Sequence, residues 1–197
     1  MASTTEQIKK LREETGAGIL DAKKTLEQVG GDYDKALSIL KAKGIAKAEQ
    51  KAAERTAKDG AIETYVHNGK VGVMVELNCE TDFVARTPQF KEAAHAVALQ
   101  IAAMDPKYVS VEAIPAEELE AQKKTFTEAT LAEGKPENMI EKIVAGKLDK
   151  YFAEVVLLRQ PYIKDDKQTI EDVVTTASAQ TGEKIVVRRF TRYALGE

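Results

Sequence analysis

Apolar residues in the first 43 positions of the chain recur at the spacing of an α-helix. Pairs of glycines interrupt this pattern at positions 16 and 18 and at positions 30 and 31. Asp32 can cap the helix that follows by accepting its free amide protons. The pattern therefore predicts three short helices between residues 4 and 43. The apolar positions on which this prediction rests are Ile8, Leu11, Leu20, Leu26, Tyr33, Ala36, Leu37 and Leu40.

The helical spacing is lost in the next two segments. Residues 45–58 are mostly Ala, Lys, Glu and Arg, a composition typical of an exposed helix or a linker. Residues 62–66 and 71–77 then alternate with a period of two, which predicts strands with one buried face. Asn68 and Gly69 lie between them, and this pair tolerates the positive φ angles of a tight hairpin turn.

The remaining residues predict several helices and one final strand. One helix contains Phe90 to Met104 and stops before Pro106, and two more begin near Pro115 and Pro136, as a helical hairpin or as two consecutive helices. Another helix covers residues 169–180, and residues 184–193 form a strand. We therefore expect an α+β fold, in which a three-stranded antiparallel sheet is covered by helices on one side.

These patterns divide the chain into three parts. We expect a three-helix docking module over residues 1–44, a linker helix over 45–59 and a core domain over 60–197. A module of about 44 residues buries little surface by itself, so it should be marginally stable unless docked. We find no convincing internal repeat in the sequence.

Composition excludes some classes of protein. The 197 residues are 43% hydrophobic and 31% charged, as in ordinary globular proteins, and the net charge is −3. This charge argues against binding nucleic acid by neutralising phosphates in bulk. The single cysteine, Cys79, leaves no intrachain disulfide. Because the N-terminus is polar and no apolar run has the length of a bilayer, we expect a cytoplasmic protein that binds no membrane.

Candidate chemistry is sparse. Gly16 and Gly18 precede Lys23, but their spacing does not match a phosphate-binding loop. Nucleophilic catalysis by Cys79 needs a base, and the sequence places neither His67 nor His95 near it. We therefore expect no catalytic residue, no metal site and no cofactor.

Three arginines lie in the C-terminal strand: Arg188, Arg189 and Arg192. They could bind phosphate. The interpretation we favour is a solvated strand edge that discourages aggregation.

A polar turn with an apolar tip follows the second strand, which we expect to end at Cys79. In one interpretation Thr81 or Asp82 caps a short helix and Phe83 folds back onto the core, and composition alone favours this. In the other, Phe83 and Val84 project as a wedge into another protein, with Asp82 as a competing charge.

Two long motifs resemble those of a known family. Residues 11–26, LREETGAGILDAKKTL, and residues 30–36, GGDYDKA, closely resemble the N-terminal signature of the bacterial elongation factor Ts family. Residues 76–86, ELNCETDFVAR, are similar to its second signature. The chain has room for one copy of a core subdomain that longer members carry twice, so it resembles the short form.

The resemblance implies a guanine nucleotide exchange factor that acts on elongation factor Tu. Such an exchange factor makes and breaks no covalent bond. The N-terminal module, similar to a ubiquitin-associated domain, would dock on the GTPase domain. Thr81–Val84 match the segment that the family inserts beside the nucleotide, where it disturbs the magnesium ion. With the resemblance, the wedge interpretation takes precedence over the cap. The partner-binding residues that it implies are Arg12, Ile19, Leu20, Lys23 and Asn78.

Two other classes of function compete with this hypothesis. One is an interaction protein that does not promote exchange, in which the core is only a scaffold. An enzyme is the weaker alternative, because the sequence offers no nucleophile–base pair. The single core copy also suggests a homodimer, formed across a sheet edge near the C-terminal strand.

Overall fold

The computed structural model describes residues 4–52 and 55–197. It confirms the predicted α+β class: N-terminal helices precede a three-stranded antiparallel sheet with helices against it. The helices are α1 Thr4–Thr15, α2 Ile19–Gln28, α3 Tyr33–Ala52, α4 Asp82–Ala85, α5 Pro88–Met104, α6 Ala116–Ala132, α7 Glu137–Val155 and α8 Ile170–Thr181. The strands are β1 Asp59–His67, β2 Val71–Cys79, β3 Pro161–Tyr162, β4 Asp165–Thr169 and β5 Val186–Ala194.

The first three helices enclose a small core of their own. Leu11, Ala22, Leu26, Ala36 and Leu40 are buried together, one or two from each helix. The third helix is longer than the sequence pattern predicts, because it continues through the Ala- and Lys-rich segment to Ala52. Residues 53 and 54 of the predicted linker lie outside the described residues, and the division into three domains stays a prediction.

The sheet has the order β1-β2-β5, and all its strands are antiparallel. The hairpin turn is where the sequence predicts it, since Asn68 and Gly69 both have positive φ. The inner face of β2, from Val73 to Cys79, packs against α5 and shares one hydrophobic core with residues of α8. Ile62 and Val66 of β1 lie on the opposite, exposed face.

Two polar contacts fix the elements that follow α5. Helices α6 and α7 pack together as a helical hairpin, and the Glu118 carboxylate accepts hydrogen bonds from Tyr108 and Tyr151 at its base. The short hairpin β3–β4 was not predicted. It is held by the buried Gln100 side chain, which donates to the Pro161 carbonyl and accepts from the Ile163 amide.

The N-terminal helices contact the core through α8. The Gln180 side chain donates a hydrogen bond to the Glu14 carbonyl over 3.1 Å. Gly16, with φ +66°, approaches so closely that an added Cβ would lie 2.7 Å from the Gln180 Cα. A side chain at position 16 would therefore push the two parts of the chain apart.

Residues 4–52 and 55–197 contain neither a membrane-spanning helix nor a cluster of metal ligands. No helix there is both long and apolar enough to cross a membrane. In the same residues, no group of three or more His, Cys, Asp or Glu side chains is arranged to hold a metal ion.

Candidate functional site

The turn that follows β2 presents an aromatic ring to solvent. Phe83, in the short helix α4, is 79% exposed, whereas the next two residues, Val84 and Ala85, are buried in the core. The buried pair anchors the helix, and the ring points away from it. Phe83 therefore does not fold back onto the core, and the geometry favours the wedge interpretation for this residue. The expectation that Val84 projects beside it is wrong, because Val84 takes a core position.

Thr81 and Asp82, one of which caps α4 in the alternative interpretation, both bond to other side chains. Thr81 occupies the N-cap position, but its hydroxyl donates to the Glu183 carboxylate over 2.6 Å. The Asp82 carboxylate accepts a hydrogen bond from Arg86 over 2.7 Å, and both side chains are solvent-accessible. A carboxylate and a guanidinium thus stand beside the exposed ring.

Glu183, which the sequence analysis did not select, holds this turn from across the fold. Besides the Thr81 hydroxyl, its carboxylate accepts the amide protons of Glu80 and Thr81 over 3.1 and 3.0 Å. Glu183 lies 102 residues from Thr81 in the chain. No local spacing signals such a contact, so only the folded structure shows it.

Cys79 ends β2, as predicted, and faces inward. Its side chain is buried, and the thiol donates to the Thr81 carbonyl over 3.1 Å. Burial, together with the nearby carboxylates of Glu183 and Asp59, raises the pKa of the Cys79 thiol to about 11. The thiolate is therefore scarce near neutral pH, and this residue is poorly suited to nucleophilic chemistry.

A second exposed apolar pair begins α2. Ile19 is 58% exposed and Leu20 is 71% exposed. The sequence pattern placed Leu20 among the apolar positions of the helical spacing, but Ala22 and Leu26 take the buried face of this helix instead. Arg12 and Lys23 are also exposed.

One cavity lies beside the exposed pair Ile19 and Leu20. Its volume is about 210 Å³, and it lies between the N-terminal helices and the end of α8. Gly18 and Asp21, which flank Ile19 and Leu20, line it, as does Glu183, which holds the turn before Phe83. The fold thus places the start of α2 next to the end of α8, and Glu183 contacts both this cavity and the turn before Phe83.

Comparison with known proteins shows the family of the chain. The model of a family described as elongation factor TS matches residues 6–197. The chain belongs to the elongation factor Ts family. It is 54% identical over 198 residues to Elongation factor Ts of Thermotoga petrophila, which covers 100% of this chain and 98% of the relative. The corresponding protein of Coprothermobacter proteolyticus is 52% identical, with 100% of both chains covered.

The relatives confirm the resemblance drawn from the two motifs and extend it. Elongation factor Ts of Desulfitobacterium hafniense is 50% identical over 195 residues, which are 98% of this chain and 89% of that protein. The likeness therefore continues through the C-terminal half of the chain. By its family, the chain is a translation elongation factor of protein biosynthesis.

Asn78, another predicted site residue, makes hydrogen bonds within the chain. The Asn78 side chain donates to the Asp59 carbonyl and to the Glu76 carboxylate, over 3.1 and 3.2 Å. These bonds hold the ends of β1 and β2 together. A role for Asn78 in partner binding stays a prediction.

The C-terminal arginines are not one solvated group. Arg188 is exposed, and Arg189 is exposed and pairs with Glu76 over 2.7 Å. The side chain of Arg192, by contrast, is only 14% exposed and pairs with Asp105 and Glu197. The solvated-edge interpretation is therefore wrong for Arg192, because its guanidinium ties the end of α5 to the C-terminus.

Proposed function

We propose that the chain is a guanine nucleotide exchange factor that binds elongation factor Tu with GDP and speeds GDP release. It inserts Phe83 and its neighbours beside the nucleotide and disturbs the magnesium ion there. It makes no covalent bond, uses no cofactor and acts in the cytoplasm. The observation that carries this proposal is the exposed Phe83 ring on a helix whose next two residues are anchored in the core.

The free energy of burying the Phe83 ring can be compared with the coupling that exchange requires. Fully burying a phenylalanine side chain contributes about 1.5–3 kcal/mol. A thousandfold loosening of GDP needs about 4 kcal/mol at about 1.4 kcal/mol per tenfold. The ring therefore supplies a large part of the coupling. Asp82 supplies a negative charge beside it that competes for a cation, and a phosphate-bridging ion is a large local charge.

Ile19 and Leu20 are suited to a second contact, on the GTPase domain. Exposed apolar side chains that lie together mark protein-binding surfaces. Their contribution is to affinity, whereas that of Phe83 is to the loosening of GDP. We expect Leu20→Ala to raise the concentration needed for half-maximal exchange and to leave the maximal rate nearly unchanged.

Linkage gives the exchange mechanism a signature of its own. A factor that weakens GDP binding must itself be weakened by GDP to the same degree in binding free energy. A protein that only binds elongation factor Tu, without coupling, lacks this property. The complex should therefore dissociate when GDP and magnesium are added together.

The test is the release of a fluorescent GDP from elongation factor Tu, followed by stopped flow with and without the chain. We expect faster release that saturates with the concentration of the chain. Binding without acceleration would identify the interaction protein that does not promote exchange, and an absence of binding would refute both hypotheses.

A homodimer, suggested by the single core copy, is also part of the proposal. The edge near the C-terminal strand, where this contact is expected, is available, because β5 is an outer strand of the sheet and Tyr193 on it is exposed. Light scattering tests it: a mass of about 43 kDa, twice the chain mass of 21.6 kDa, supports the dimer, and the mass of one chain refutes it.

A further inference from the structure

The turn that carries the wedge is tied to a distant part of the chain by the Glu183 carboxylate. Glu183 accepts three hydrogen bonds there, from the amides of Glu80 and Thr81 and from the Thr81 hydroxyl. Each involves a formally charged acceptor, and such bonds are stronger than those between neutral groups. Together they fix the residue that directly precedes α4.

A second carboxylate, that of Glu80, makes the reciprocal contact from the wedge turn to the turn after α8. Glu80 accepts the Lys184 amide proton over 2.8 Å and a hydrogen bond from the Arg55 guanidinium over 3.1 Å. Adjacent residues of the two turns thus exchange side-chain to backbone bonds. Because each turn supplies both donor and acceptor, neither can shift without breaking bonds at both.

Glu183 is itself held firmly. It follows Gly182, the left-handed C-cap of α8 with φ +76°. Two residues later, the Ile185 amide donates to the buried Ser178 hydroxyl over 2.9 Å. The carboxylate therefore extends from a tight turn between a core helix and the strand β5.

We propose that Glu183 is a positioning residue for exchange: it fixes the direction in which α4 presents Phe83. This inference rests on the proposed function. Without the carboxylate, the two amides and the hydroxyl are solvated in several arrangements of the turn. The wedge then samples directions that do not fit the nucleotide site, and the effective activity falls with the competent fraction.

The test is a double-mutant cycle on GDP release, with the full chain and elongation factor Tu. We expect Glu183→Ala to slow release by about tenfold, the effect of a competent fraction near one tenth. In the Phe83→Ala background, the same substitution should change release less than twofold, because there is no ring left to position. Glu183→Gln, which keeps one acceptor oxygen, should restore part of the rate.

A matched control separates this effect from the loss of any surface carboxylate. Glu133 accepts a hydrogen bond from Lys147 over 3.0 Å near the tip of the α6–α7 hairpin. Glu133→Ala should leave GDP release unchanged. A slowing equal to that of Glu183→Ala would overturn the proposal.

A readout without elongation factor Tu tests the positioning directly. In Glu183→Ala, hydrogen exchange at the Glu80 and Thr81 amides should speed up by tenfold or more, while the amides of α5 keep their protection. General loss of protection in α5 would show a structural role and overturn the proposal.

The possible outcomes distinguish this proposal from the proposed function. If the unmodified chain does not accelerate GDP release, the proposed function fails, and the role of Glu183 in exchange fails with it. If the unmodified chain accelerates release and Glu183→Ala does so equally well, only the positioning role is refuted. Slowing that adds fully to that of Phe83→Ala also refutes it, because the two residues then act separately.

Discussion

Replacing Phe83 with alanine separates an effect on binding from an effect on folding. The ring is 79% exposed, so the folded protein loses little packing when it is removed. Surface substitutions of this kind change the free energy of unfolding by about 0.5 kcal/mol or less. We therefore expect Phe83→Ala to leave the melting temperature nearly unchanged.

The effect on exchange follows from the same exposed fraction. Full burial of the ring is worth about 1.5–3 kcal/mol, and with 79% of the residue's surface still to be buried, about four-fifths of that, or 1.2–2.4 kcal/mol, is available in the complex. At about 1.4 kcal/mol per tenfold, GDP release at a fixed, subsaturating concentration should slow by about 7- to 50-fold.

The chain carries its own matched control seven residues further on. Phe90 is fully buried in the core between the sheet and the helices. Phe90→Ala should lower the free energy of unfolding by about 3–5 kcal/mol, and the melting temperature by on the order of 10 °C. Below that temperature it should retain most of its exchange activity.

The assays are stopped-flow release of fluorescent GDP and thermal unfolding followed by circular dichroism. Unchanged release with Phe83→Ala would refute the wedge. A large fall in its melting temperature would contradict the exposed placement of the ring.

Three further predictions concern the rest of the fold. Gly30→Ala, at φ +66° with open space around it, should cost about 1–2 kcal/mol of unfolding free energy in urea titrations. Gly16→Ala, at the same φ but against Gln180, should cost about 1–3 kcal/mol more; equal costs would contradict the close contact. Gln100→Leu leaves the Ile163 amide without its acceptor and should cost about 2–4 kcal/mol in the same assay. The Cys79 pKa is raised from 9.0 to about 11, so between those pH values the unfolded chain loses a proton that the folded chain keeps. Unfolding free energy should fall as pH rises through this window, and less steeply in Cys79→Ala.

The sequence predicted those elements that depend on neighbours along the chain. The hairpin β1–β2 follows from strict alternation and from Asn68-Gly69, whose backbone angles are local properties. A linker helix was predicted from residue 45, but its continuity with α3 up to Ala52 was missed because the apolar pattern ends near residue 43. Ala, Lys and Glu favour helix by intrinsic propensity without such a pattern. The hairpin β3–β4 was missed because its strands are short and carry no alternating apolar pattern. The distant Gln100 side chain holds it in place.

For the candidate site, too, the sequence predicted what depends on neighbouring residues and missed what depends on distant ones. Its motif is contiguous, so the sequence could locate Phe83 and its neighbours. Whether the ring packs inward or projects could not be decided there, because the outcome depends on Val84 and Ala85 taking the core positions. The contact with Glu183 spans 102 residues, and a glutamate after a helix-ending glycine has no signal that sets it apart.

An exposed ring on a firmly held helix has a consequence for binding strength. Association costs about 0.5–1.5 kcal/mol for each flexible side chain that it orders, and more for a loop. Here the turn before Phe83 is ordered when the protein folds, by buried Val84 and by the bonds to Glu183. The free energy of burying the ring is then available to loosen the nucleotide rather than to order the wedge. A loosened turn must be ordered again at each encounter, so exchange should weaken even though Phe83 itself is intact.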